Sequence, residues 1–394
     1  MLVRSNVPGH RAAVPQHLMF LYLGRRGLSR FALELAQTVA EMPDVRATFC
    51  ISRQNEIYRE FARAGCRLLP ADTFETAGGA FSKGYRARTL YRNVLGELRQ
   101  QRSAGVVTLM PHVWTPLVAP LIRRHGFRYL TIIHDARRHP GDPTGLINGW
   151  ALRDTLSADP VVTLSRTVTE QLSATGTVPR DRLATLFHPD LKFEAGAAQQ
   201  KPARPARAFR LLFFGRIMAY KGLPVLLDAL ERLRAENFPV ELGVFGDGAL
   251  GPLRERLAAL GAEVENRWIA DHEVRGVLAR HDAVALPHIE CSQSGVAAAA
   301  LGCGLPLIGS RVGGLTEQLR DGETGVVAET ADAAGLAAAI KRLAGDRRLY
   351  AGICRHIQKS AWERSMRRFA EQLVALAIPR EPLPSPGVES LAWV

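Results

Sequence analysis

The chain has 394 residues, 47% of them apolar and 23% charged, with five cysteines and a formal net charge of +13. That length exceeds one ordinary core and predicts two domains, and the composition excludes a disordered or fibrous chain. The scattered cysteines (Cys50, Cys66, Cys291, Cys303, Cys354) contain no C-x-x-C pair, which argues against a disulfide framework or thiolate zinc site and for a reducing cytoplasm.

The first apolar run, residues 18–23, is too short for a signal-peptide core with its cleavage site, and no stretch approaches about 18 uninterrupted apolar residues, so no membrane span is predicted. Runs at 18–23, 45–51, 106–110, 129–133 and 161–164 read as strands, and the segments 29–41, 56–64, 86–101 and 115–124 between them as helices. Strands that are apolar throughout and separated by helices imply a parallel sheet covered on both faces. Between Thr76 and Pro140 eleven Lys/Arg face only two acids, Glu97 and Asp135, a net of +9. Such a segment attracts phosphates, anionic lipid headgroups or nucleic acid, or is a solvated basic surface; no nucleic-acid motif accompanies it.

Residues 194–208 hold two prolines and no apolar period and read as a linker. After it the alternation restarts, with strands at 209–214, 240–245, 283–286 and 305–308 and helices at 223–234, 253–260, 273–280, 295–301 and 333–343. The expected fold class is α/β, with two Rossmann-like doubly wound domains facing a cleft. The boundaries are 1–193 for an N-terminal acceptor-side domain, 194–208 for the linker, 209–360 for a nucleotide-binding domain, and 361–394 for a C-terminal helix and tail. That helix is expected to pack back toward the N-terminal domain. Ligands of open α/β sheets lie at the carboxyl ends of strands, so the chemistry is sought in the loops there.

Three such loops stand out in the second half. In the first, Gly215 permits close backbone approach, while Arg216 and Lys221 bring two cations to one strand end, which suits a diphosphate; the alternative is a pair of surface-loop cations. In the second, Ser294, Gly295 and Val296 open a helix whose free N–H groups and dipole make an anion site, with Glu290 beside it to take sugar hydroxyls; the alternative for Ser294 is a plain N-cap. The third, with Gly246, Asp247, Gly248 and Gly251, spells G-x-G-x-x-G and has Glu265 near the position of a ribose-binding acid. Dinucleotide fingerprints follow the first strand of their domain, and this one follows the second. From the first half, Gly24 and Gly27 follow the first strand, and His134 ends the strand at 129–133. No Asp-x-Asp pair, H-E-x-x-H or Cys/His cluster supplies metal ligands.

Taken together, Gly215-Arg216…Lys221-Gly222, Gly246-Asp247-Gly248, Glu290…Ser294-Gly295, Gly304-x-Pro306, 313–317 (GGLTE) and 321–325 (DGETG) resemble the retaining GT-B glycosyltransferases of glycosyltransferase family four. The resemblance is strongest over 211–325, and its form is similar to a subgroup of bacterial surface-polysaccharide assembly. It implies that Arg216 and Lys221 hold the donor diphosphate and that Ser294, Gly295 and Val296 offer N–H groups to it. It further implies that Glu290 contacts the transferred sugar, that His134 approaches that sugar from the front domain, and that Trp268 and Ile269 lie where the nucleobase is held. The partners implied are a UDP- or GDP-linked sugar and a glycan or lipid-linked acceptor, with no cofactor and no metal. The enzyme is expected in the cytoplasm, peripherally on the inner membrane face. Such enzymes commonly carry a second glutamate, for the ribose, eight residues after the first; Ala298 and Ala299 occupy that region here. The rival readings are a dinucleotide-dependent oxidoreductase built on Gly246, Gly248 and Gly251, and an inactive relative that binds polyanions or membranes.

Overall fold

The computed structural model describes residues 15–75, 79, 84–137, 149–193 and 208–378. Seven parallel strands form the first sheet: β1 (Gln16–Tyr22), β2 (Val45–Ser52), β3 (Arg67–Ala71), β4 (Gly105–Thr108), β5 (Arg128–Ile133), β6 (Val161–Thr163) and β7 (Leu183–Thr185), in the order β3-β2-β1-β4-β5-β6-β7. Six more form the second: β8 (Phe209–Phe214), β9 (Val240–Phe245), β10 (Glu263–Glu265), β11 (Ala283–Leu286), β12 (Leu307–Ser310) and β13 (Gly325–Ala328), in the order β10-β9-β8-β11-β12-β13. In both sheets the order reverses beside the first strand, the doubly wound arrangement expected from the sequence, and the ligand-binding crevice of such a sheet lies at that reversal. In the second sheet it falls between β8 and β11.

The double coverage follows from side-chain alternation. Along β1, Leu18, Phe20 and Tyr22 enter one core, and Met19, Leu21 and Leu23 enter the core on the other face. The second sheet has one large core running from Phe209 and Phe213 through Leu226, Val244 and Val284 to Ile340.

The C-terminal helix Met366–Ala377 packs on the first domain, as expected. Its Met366, Phe369, Leu373 and Ala377 share a core with Leu18, Phe20 and Phe31, and the Phe31 and Phe369 rings meet edge to face at 5.4 Å. The crossover back is fixed by Arg364, whose guanidinium reaches the Asp190 carboxylate at 3.0 Å. The linker assigned to 194–208 lies outside the described residues except at Ala208.

Several elements depart from the sequence expectation. β3, β7 and β10 are short strands on the sheet edges, where a half-buried pattern carries little period, and β3 contains Pro70. Helix Arg347–Lys359 is an element that the sequence expectation lacks. Tyr350, Ile353 and Ile357 are its buried stripe, and Asp346 caps it by accepting from the N–H groups of Arg348 (2.8 Å) and Leu349 (3.0 Å).

Candidate functional site

β8 runs straight into Gly215-Arg216, and Lys221 closes a short 3-10 turn before helix Leu223–Ala235. A Cβ placed on Gly215 would lie 3.1 Å from Val296 Cγ2 and 3.5 Å from Lys221 Nζ. Thus the loop after β8, the lysine and the start of helix Gly295–Gly302 converge at the β8/β11 reversal. The Ile289 N–H donates to Tyr220 O at 2.8 Å, which ties the segment carrying Glu290 to the turn carrying Lys221.

Gly222 is required where these loops meet. Its φ is +71°, and a Cβ there would stand 1.8 Å from Pro287 O, so the turn can seat against the loop after β11 only without a side chain.

Burial lowers the Lys221 ammonium pKa to about 8, and the nearby Arg216 charge pushes the same way. Cations crowded at this point fit a ligand that brings negative charge. Arg216 is exposed, and no carboxylate pairs with it among the described residues. Burial drives the Cys291 thiol up to about 12 against the Lys221 charge, so it remains a neutral neighbour of the lysine.

The helix start is organised by a residue the motif did not single out. Gln318 accepts from the Ser294 N–H at 2.8 Å and donates to the Ser294 carbonyl at 3.0 Å. Ser294 Oγ accepts from the Ala297 N–H at 3.1 Å. The expectation that Ser294 offers its N–H to a phosphate is therefore corrected: that group is already committed, and Ser294 is the helix cap. The N–H groups of Gly295 and Val296, in the first turn, remain as backbone donors toward an anion.

The G-x-G loop also changes meaning. Gly246 has φ +152°, and its Cβ would fall 1.9 Å from Gly215 O; at Gly248 the Cβ would fall 2.4 Å from Ile217 O. The Ile217 N–H donates to Asp247 O at 2.8 Å. These glycines let one loop lie flush on the backbone of the loop with Arg216, and Asp247 serves there through its carbonyl. Glu265 is held by Arg267 at 2.6 Å. The pattern that spells a dinucleotide fingerprint is explained by loop-on-loop packing.

From the first domain, His134 is buried at the end of β5, with Nε2 2.8 Å from Leu109 O. A carbonyl only accepts, so Nε2 carries the proton and Nδ1 is the acceptor nitrogen. Nδ1 is buried without a partner. Burial lowers the pKa of this ring, so it is neutral near pH 7. Asp135, the next residue, is close enough to add to the upward shift of Cys291, so this strand end looks across at the loop beside Lys221. His188 lies near His134 and is lowered to about 4 by burial.

Gly24 and Gly27 flank Arg25 and Arg26 in the loop after β1. Asn55 holds the Gly24 carbonyl at 3.0 Å, and the Arg26 guanidinium lies over the Trp268 ring at 5.1 Å. That loop therefore reaches the second domain at Trp268, while Ile269 is buried in the second domain's core. Of the residues singled out from sequence, Gly215, Lys221, Gly295 and Val296 are brought together by contact, with Arg216 adjoining. Asp135, next to His134, lies within electrostatic reach of Cys291 beside them, and the loop between Gly24 and Gly27 reaches Trp268 at a separate point through Arg26.

Contacts that close the cleft were missing from the sequence reading. The Ser165 hydroxyl donates to Ser292 O at 2.7 Å, Glu317 accepts from the Arg166 N–H at 2.8 Å, and Arg30 reaches Asp271 at 3.2 Å. Ser292 and Glu317 lay in motifs, but none of these pairings has a local sequence signal. Ala298 is fully buried in the first domain's core, while Ala297, Ala299 and Ala300 belong to that of the second. The alanine run thus lets one helix fit between two cores, and Ala298 and Ala299, where a second glutamate was sought, are both buried. Among the described residues no group of three or more His, Cys, Asp or Glu is placed to hold a metal ion.

These features define a class: a two-domain α/β protein with two cations and a helix start gathered at one strand end. Residues 208–346 match the family model described as Glycosyl transferases group 1. The chain is 34% identical to a D-inositol 3-phosphate glycosyltransferase of Geodermatophilus obscurus over 43% of this chain and 41% of that one. It is 28% identical to the glycogen synthase of Mycobacterium tuberculosis over 64% and 63%. The chain thus spans less than half the length of the first relative. Among solved structures, Anabaena Alr3699/HepE in complex with UDP and glucose superposes with a TM-score of 0.67 at 16% identity, covering 91% of this chain and 98% of that one. Sucrose-phosphate synthase from Thermosynechococcus elongatus gives 0.66 at 16%, covering 92% and 98%. At that identity the likeness is one of fold, and the fold is the GT-B layout.

Proposed function

We propose that the protein is a retaining, metal-independent glycosyltransferase that moves a sugar from a UDP- or GDP-sugar to a glycan or lipid-linked glycan in polysaccharide biosynthesis, working peripherally at the inner membrane face. The observation that carries this reading is the convergence of Lys221, Arg216 and the Gly295–Val296 helix start at the β8/β11 reversal, within the region that matches the group 1 glycosyl transferases. The UDP and glucose named with the Anabaena structure support a nucleotide-sugar as donor.

In the proposed reaction the bond between the anomeric carbon and the donor phosphate oxygen breaks, and its electron pair leaves with the nucleoside diphosphate. The acceptor hydroxyl oxygen bonds to the anomeric carbon from the face the diphosphate departs, and its proton passes to a phosphate oxygen of the leaving group. Arg216, Lys221 and the helix N–H groups stabilise charge that grows on the diphosphate, which lowers the barrier directly. His134 Nδ1 accepts a hydroxyl of the transferred sugar, and Glu290 takes others from the second domain. Arg216→Ala and Lys221→Ala are each expected to lower transfer by on the order of a hundredfold. Wild-type turnover in both would remove the assigned role.

A further inference from the structure

The outer surface of the first domain has a composition that the transfer reaction does not use. Helix Tyr85–Gln100 buries Ala87, Leu90, Val94, Leu95 and Leu98, together with its one acid, Glu97, which pairs with Arg67 at 2.6 Å. Its exposed stripe is Tyr85, Arg88, Arg92 and Arg99, spaced so that all four lie on one face. The neighbouring helix Thr115–Arg124 exposes Leu117, Arg123 and Arg124. His125, just beyond it, meets Tyr91 Oη at 2.8 Å and Arg99 at 3.3 Å, which makes the two exposed faces one surface. From 84 to 128 the sequence has no acid other than Glu97, whereas solvated faces ordinarily interleave both signs.

The apolar residues of this surface collect at one end. Both helices run back from the carboxyl ends of parallel strands, so Tyr85 and Leu117 lie toward the cleft. Trp150 joins them there, its Nε1 donating to Val113 O at 2.8 Å. Tyr85, Leu117 and Trp150 are 69%, 50% and 40% exposed.

We propose that this face docks on an anionic lipid bilayer, with Tyr85, Leu117 and Trp150 entering the headgroup layer and Arg88, Arg92 and Arg99 lying over lipid phosphates. A nucleic acid would use the arginines but has no place for an exposed leucine beside two aromatic rings, a combination suited to the membrane interface. The orientation sets the cleft mouth at the bilayer, within reach of a lipid-linked acceptor. The inference thus rests on the proposed peripheral enzyme and gives it a surface.

The test is sedimentation of the full chain with vesicles of equal parts phosphatidylcholine and phosphatidylglycerol at low salt. Wild type is expected to bind these and not pure phosphatidylcholine. Arg88→Glu/Arg92→Glu is expected to bind on the order of tenfold or more weakly, and Tyr85→Ser/Leu117→Ser to lose the binding that survives high salt. Arg347→Glu, on the second domain, should bind as wild type, and matched melting curves confirm that each variant is folded. Equal binding by the double reversal and wild type would overturn the proposal, as would equal binding to neutral vesicles or displacement from vesicles by duplex DNA. The assay needs neither donor nor acceptor, so loss of the transferase reading would leave its result standing.

Discussion

Lys221 shows what one side chain contributes and how much of it could be read in advance. Its type and its spacing from Arg216 were visible in the sequence; the lowering of its pKa to about 8 comes from burial among Gly215, Val296 and Cys291, which only the fold assembles. In the free protein near pH 8 about half of these side chains are neutral, whereas a bound diphosphate favours the charged form. Binding of UDP or GDP at pH 8 is therefore expected to take up a fraction of a proton, and affinity is expected to fall as pH rises above that value. Calorimetry in two buffers of different ionisation enthalpy reads the uptake, and an enthalpy independent of buffer would contradict it. At Ser294 the sequence left two roles open, phosphate donor and helix cap, for the converse reason. Its helix-start position was legible, but the Gln318 side chain that occupies its N–H comes from 24 residues away in sequence.

At the scale of elements, strongly periodic strands and helices were legible, and short edge strands were not, because three to five half-buried residues carry too little alternation to stand out. Glycine loops were legible as punctuation but not in purpose. Gly222→Ala adds a Cβ 1.8 Å from Pro287 O at a positive φ, whereas Gly251→Ala, also at positive φ, meets nothing within 4 Å. The Gly251 change is expected to cost about 1–2 kcal/mol of stability from backbone strain alone. The Gly222 change is expected to cost more and to abolish nucleotide binding. If thermal melts and nucleotide titrations showed equal effects, loop packing would not be the reason for Gly222. Helix Gly295–Gly302 gives a second case. Ala298→Glu restores a motif carboxylate on paper but places it in the core between the domains, so it should lower the melting temperature without raising donor affinity. A gain in affinity would show that position 298 reaches the cleft.

Across the whole molecule, two repeats of one topology were legible because both halves alternate strand and helix with the same rhythm. Their mutual placement was not. It depends on Ser165 with Ser292, Glu317 with Arg166, Arg30 with Asp271, and Arg26 over Trp268, all pairs remote in sequence. These contacts close the cleft around the strand ends, so a donor held there should tighten both sides of it. Addition of saturating UDP- or GDP-sugar is expected to slow hydrogen exchange at 215–222 and 295–297 and in the first-domain loop with Gly24 and Gly27. Slowing confined to the second domain would mean that the first domain takes no part in holding the donor.

The central claim is that the β8/β11 strand end holds a nucleoside diphosphate, and a thermal-shift comparison of UDP, GDP and their sugars with NAD(H) tests it most directly, since a ligand stabilises the fold in proportion to its binding. The account predicts that a nucleoside diphosphate or its sugar raises the melting temperature of the wild type and does so far less for Lys221→Ala. Stabilisation by NAD(H) with none by any nucleoside diphosphate or sugar would contradict it.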